Sequence, residues 1–159
     1  MESTLEDVPD SQANTEHFGR LTSGKSPSPF QEVRCLYLAE AGTHAIVDAV
    51  LARCKASEQA LAWVILRSIQ LGMLVMTDRN FIAVKWLTAV QQRGAQVLCR
   101  LAAGCFTQRS RTLSDGSSLV TLRAKGQAPL ILRVTRVSLA ACGGARAGSF
   151  AGLAHLFTG

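Results

Sequence analysis

The apolar positions of "VRCLYLA", residues 33–39, and "AIVDAVLA", 45–52, have the β-branched, aromatic and aliphatic character of two strands. The five residues between them, "EAGTH", include Gly42, so a hairpin is the natural connection. The period then lengthens. Leu61, Val64, Ile65 and Ile69 supply one face of a helix, with Ser57 as its N-cap, Glu58 in its first turn and Gly72 as its stop. "MLVMT" is too short for a buried helix, and its continuous apolarity suits a strand covered on both faces. Phe81, Val84, Leu87 and Val90, widened by Trp86, mark a second helix that closes near Gly94. "QVLCRLAA", 96–103, follows as a strand, so residues 72–103 read as a βαβ unit with two parallel strands.

Beyond this unit the pattern changes again. "SRTLSDGSSLVTL" predicts two short strands about an Asp-Gly turn, and "LILRVTRVSL" alternates like a half-exposed strand. Residues 1–32 are polar and turn-rich, with "LTSGKSPSPF" as a loop, and hold at most the remnant of a first strand. The division expected is a polar segment over 1–32, a core over 33–103, a β extension over 104–139 and an Ala/Gly-rich tail over 140–159. That tail, "AACGGARAGSFAGLAHLFTG", has no clear periodicity and resembles translation in a shifted frame. It is expected to be poorly ordered, or at best weakly helical near Leu153. An antiparallel pair feeding into a parallel βαβ unit gives the fold class: α/β, a mixed sheet flanked by helices.

Charge adds a partner to this picture. Residues 1–58 carry nine acids against five bases, while residues 59–159 carry twelve bases against only Asp78 and Asp115. The two parts, −4 and +10, give the net +6 of the chain. Ten of the twelve bases are arginines, and guanidinium matches phosphate in a bidentate way, which points toward a polyanion. No stretch of 18 apolar residues exists, so no membrane span is expected despite a mean hydropathy of +0.19. The opening "MESTLEDVPD" lacks the basic and apolar segments of a signal peptide, so a cytoplasmic location is expected. The five cysteines show no C-x-x-C spacing and are read as buried or idle thiols, and the three histidines form no ligand cluster.

One carboxylate stands out. Asp78 directly follows the apolar run "LGMLVMT", where a parallel strand ends, and in open α/β sheets ligands gather at such ends. Helix capping is the competing explanation, since Asp is a favoured N-cap residue. Asn80 stands before the apolar helix face and could cap it instead, leaving Asp78 beside Arg79 in the crevice.

The block "TDRNF…KWLTAVQQRGAQVLCRL" resembles the region around the second acidic residue of bacterial insertion-sequence transposases of the family-four DDE group. Three other stretches agree with the same family in the same order: "DVPDSQANTEHFGR" (7–20), "AGTHAIVDAVL" (41–51) and "LSDGSSLVTL" (113–122). The likeness covers roughly residues 4–122. It implies an RNase H-like sheet, here incomplete and carrying a β-hairpin extension. It also implies DNA transposition, in which DNA is cut and the freed 3′ hydroxyl is joined to a new site. Both steps are in-line displacements at a phosphodiester, assisted by two Mg²⁺ ions held by three carboxylates and the substrate phosphate.

By that resemblance Asp78 is the second carboxylate, able to bridge the two metals. The first belongs on the opening strand, where this sequence has Glu2, a longer acid expected at a frayed chain end. Asp48 is another possible substitute, although a structural role suits it better, and Asp7 and Asp10 read as turn acids. The third should be a late Glu, yet no Glu follows Glu58, and "LSDGSS" explains Asp115 as a turn residue. The family's Lys two positions after Arg100 is replaced by Ala102, and its Gly after Asp-Arg by Asn80. Arg79 and Arg100 are the expected DNA contacts, with Arg93, Arg109, Arg111, Arg133 and Arg136 as further candidates. The resemblance further implies that the region preceding the catalytic core is absent from this chain.

The leading expectation is therefore a fragment of a transposase core, incomplete in its metal cage and binding Mg²⁺ weakly or not at all. The alternative is a non-catalytic DNA-binding or regulatory fragment of a mobile element, able to pair with a full-length transposase. An unrelated nucleotide-binding enzyme using Asp78 lacks the Gly-rich phosphate loop it would need, and no small-molecule substrate is expected.

Overall fold

The computed structural model describes residues 1–23, 26–101, 109–138 and 149–156. In chain order the strands and helices are β1 Glu2–Val8, α1 Gln12–His17, β2 Thr22–Ser23, β3 Ser26–Pro27, β4 Gln31–Ala39, β5 Ile46–Arg53 and α2 Glu58–Ile65. Then come β6 Leu74–Thr77, α3 Val84–Gln92, β7 Gln96–Arg100, β8 Arg109–Thr112, β9 Ser118–Leu122, β10 Leu130–Ser138 and β11 Ser149–Leu156. The class is mixed α/β, with several sheets and few helices. The single mixed sheet expected from the element order is replaced by separate sheets in two compact units, Met1–Ser68 and Ile69–Gly159.

In the first unit β1, β4 and β5 form an antiparallel sheet in that order, and β2 and β3 make a separate two-residue pair. The hairpin over 33–52 forms as its residues predict, with Leu36 opposite Val50. β4 is the central strand, and Val33, Cys35, Leu36 and Leu38 are buried on it. The helix α2 buries Leu61, Ala62 and Ile65. Val64, assigned to the apolar face by spacing, is instead 40% exposed, because Ala62 rather than Val64 shares the buried stripe. Ser57 occupies the N-cap position without a side-chain capping bond. Glu58 pairs with Arg34 at 2.9 Å, and the Arg34 Nε donates to the Cys54 carbonyl at 3.1 Å, tying the helix start to β4.

Two further expectations for this unit are corrected. Glu2 is not at a frayed end: it opens a seven-residue strand and stands opposite Tyr37. The stretch 12–17, inside the segment read as polar and turn-rich, is a short helix capped by Ser11, whose hydroxyl accepts from the Asn14 amide at 3.2 Å. Every residue of α1 avoids full burial, so no apolar period announced it.

In the second unit the strand order is β6-β7-β11-β10-β9-β8. β6 and β7 are parallel, with Thr77 beside Cys99, and α3 connects them as the βαβ reading requires. α3 begins at Val84, so Phe81 belongs to a preceding 3₁₀ turn, Arg79–Phe81, and Trp86, Leu87 and Val90 form the helix's buried face. Gly94 ends it at φ +73, a left-handed conformation that favours glycine. β8 and β9 form the expected hairpin, with Gly116 at φ +81 in its turn. β6 is covered on one face only: Val75 and Thr77 are buried, while Leu74 is 59% and Met76 47% exposed, correcting the two-face expectation.

The tail brings the largest difference. Residues 149–156 form β11, which pairs antiparallel with both β10 and β7. A strand hydrogen-bonded on both sides satisfies its backbone without needing the apolar alternation that signals a strand in sequence. The remainder of the expected tail, 140–148 and 157–159, lies outside the described residues. Cys35 and Cys54 are buried free thiols, Cys99 is buried as well, and burial pushes its thiol up to about 11. Cys105 and Cys142 lie outside the described residues. No helix among the described residues is long and apolar enough to cross a membrane.

Candidate functional site at the end of the parallel strands

The parallel register sets this site. Thr77 and Cys99 are the last paired positions of β6 and β7, so Asp78 and Arg100, the next residues, emerge side by side. The Arg100 Nε lies 3.2 Å from the Asp78 Oδ1. Asp78 is extended, at φ −79 and ψ 170, and its carbonyl accepts from the Phe81 amide at 3.2 Å to start the 3₁₀ turn. Its side chain makes no capping bond. The helix that Asp78 or Asn80 was expected to cap begins later, with Ala83 at its N-cap position. Capping therefore does not account for Asp78. Arg79 is exposed on the turn beside it.

Both partners are open to water, with side chains 50% and 44% exposed. Such a pair contributes roughly 0–1 kcal/mol to stability, too little for fold maintenance to be its main consequence. Two of the four groups expected at the site, the carboxylate of Asp78 and the guanidinium of Arg100, are thus in contact, with Arg79 adjacent in sequence. Glu2 belongs to the other unit, exposed on β1.

Three other acids, Asp48, Asp10 and Asp115, have structural roles. Asp48 takes the Arg67 guanidinium in two bonds, 3.0 and 2.9 Å, and accepts from the Ser68 hydroxyl. These partners, Arg67 first, hold its carboxyl far below the usual range, and its side chain is only 11% exposed. Asp10 accepts from Arg20 and from the buried Gln31 at 2.7 Å each. Asp115 accepts from the Ser117 amide at 3.0 Å and hydroxyl at 2.6 Å, and pairs with Arg133. Ser117 also accepts from the Arg133 Nε at 3.0 Å, so the Asp-Gly turn is fastened to β10. The side chains of Arg109 and Arg136 lie outside what is described.

A two-ion magnesium centre needs converging oxygen ligands. Among the described residues no three His, Cys, Asp or Glu side chains gather to hold a metal. The carboxylate at the strand end faces a guanidinium. An open concavity of about 500 Å³ lies in the first unit, lined by Glu16, His17, Phe18 and Arg53 among others, and none of the expected site residues borders it.

The sequence singled out Asp78 and Arg100 separately but not their pairing, which only the parallel register reveals. The Asp115–Arg133 and Asp48–Arg67 pairs, 18 and 19 residues apart, likewise carry no local signal. No protein-family model matches the chain, and no curated protein matches it.

Proposed function

We propose that this chain is a relic of an RNase H-like DDE transposase core that engages DNA without cutting it. The observation that carries the reading is Asp78 at the carboxyl end of a parallel strand, beside Arg79 and against Arg100. That is where open α/β sheets take ligands, and the residues around it are those that resemble the transposase block. The antiparallel β1-β4-β5 sheet, then α2, then the parallel βαβ unit supports an RNase H-like ancestry. Arg100 lies on Asp78, and among the described residues no further carboxylates gather beside it to hold a metal, which supports a reading without cleavage.

A second reading, a regulatory fragment acting by binding DNA or a full-length transposase, is favoured by the charge of the second unit. Residues 69–159 hold eleven Lys and Arg against two Asp, a net of +9, while residues 1–68 hold six against nine, a net of −3. One experiment tests both readings. The purified chain is incubated with duplex DNA and Mg²⁺ at several salt concentrations, and products and bound fraction are measured together. Binding that weakens with salt and yields no nicked or joined product is the expected outcome. Strand transfer would overturn the relic reading, and absent or salt-independent binding would overturn both.

A further inference from the structure

The six-stranded sheet has one buried face and one open face. Val75, Val97, Cys99, Leu132 and Val120 are buried on the first. Backbone pairing sets Met76 beside Leu98 on β6 and β7, and Leu74 beside Gln96, all on the other face. There Leu74 is 59% and Met76 47% exposed, Leu98 is half-buried, and Ile131 on β10 is 43% exposed. A sheet face that meets water normally carries polar residues, and a parallel pair such as β6 and β7 is normally covered on both faces. This one is apolar where β6 and β7 lie, and it ends at Asp78, Arg79 and Arg100.

We propose that the open face of β6 and β7 receives an amphipathic, acidic helix supplied by another polypeptide. A helix is about 10–12 Å across with its side chains, and strands are about 4.8 Å apart, so one helix covers two to three strands. Leu74, Met76 and Leu98 then meet its apolar stripe, as a sheet face requires a second layer. Charge sets the rest of its chemistry. The only two acids of residues 69–159 already face Arg100 and Arg133, and the sequence of this unit carries eleven Lys and Arg, a net of +9. Added carboxylates are attracted, and added cations are repelled. This inference goes beyond the proposed function and stands on the sheet face and the charge of its unit.

The test uses the full chain and a fluorescent synthetic helix with Leu at i, i+3, i+4 and i+7 and Glu along both flanks. Binding is followed by anisotropy, beside a shuffled peptide of the same composition and a version with Lys for Glu. The acidic helix is expected to bind, and both control peptides to bind about tenfold more weakly. Met76→Glu and Leu74→Ser, at exposed positions, should each weaken the acidic helix about tenfold. In the unaltered protein the peptide should slow amide exchange at 74–77 and 96–100 and leave β4 and β5 unchanged. That measurement needs no variant to fold. Equal binding of the shuffled peptide, or slowed exchange elsewhere, would overturn the proposal. So would a DNA duplex whose binding alone is lost on Met76→Glu, because the face would then belong to nucleic acid.

Discussion

Arg100 and Asp78 meet in open solvent, and this separates stability from binding at one side chain. Arg100→Ala is expected to change unfolding free energy by only about 0.5 kcal/mol, because an exposed pair contributes little. If the guanidinium also touches phosphate, the same variant should flatten the salt dependence of DNA binding by about one unit of slope, and so should Arg79→Ala. Urea titration and binding across a salt series read the two effects independently. Asp115 gives a different kind of prediction. The Ser117 hydroxyl, then the Ser117 amide, then Arg133 pull its carboxyl down from 3.8 to about 2. Because the folded value lies below the ordinary one, the unfolded chain takes up the proton first as acid is added. The contribution is full above about pH 4 and disappears as pH falls through about 2. Asp115→Asn should therefore flatten the pH dependence of the urea midpoint in that window. Asp48→Asn removes the negative charge and replaces one of the two acceptor oxygens with a donor, so the bonds from Arg67 and Ser68 cannot all form, and it should lower the midpoint at neutral pH.

Helix α3 is closed by Gly94, whose φ of +73 carries a steric cost for any residue with a Cβ. A Cβ there would also press on the Leu71 side chain, which is exposed and can give way. Gly94→Ala is expected to destabilise by about 1–2 kcal/mol, measured by thermal unfolding. How far such elements could be read from sequence depended on period. The strands β4, β6, β7 and β10 and the helix α3 each bury a run or stripe of apolar residues, and that burial is the signal their spacing carried. The β8–β9 hairpin was legible through its Asp-Gly turn. α1 and β1 bury little, and β11 is built from Ala, Gly and Ser among its larger residues, so none of them announced itself. At the candidate site the two important residues were legible as types at strand ends. Their contact was not, because parallel register joins positions 22 residues apart.

Two compact units divide the chain, and the division nearly follows its charge: Met1–Ser68 is acidic and Ile69–Gly159 strongly basic. The continuity of the second sheet rests on β11, which alone joins β6-β7 to β10-β9-β8. Ala154→Pro would remove a ladder donor from a strand paired on both sides. It is expected to abolish the near-ultraviolet dichroism of Trp86 while the far-ultraviolet signal persists in part.

The same placement has a cost during biosynthesis. β7 ends at Arg100 and its antiparallel neighbour starts at Ser149. At about 5–20 residues per second, roughly 2–10 s pass between the two. Throughout that interval the nascent chain presents an unmatched β7 margin bearing Val97 and Cys99, both later sequestered. Sticky margins of this kind recruit whatever extended chain is nearby. Yield from a cell should accordingly depend on translation speed through codons 101–148, with slow passage favouring inclusion bodies.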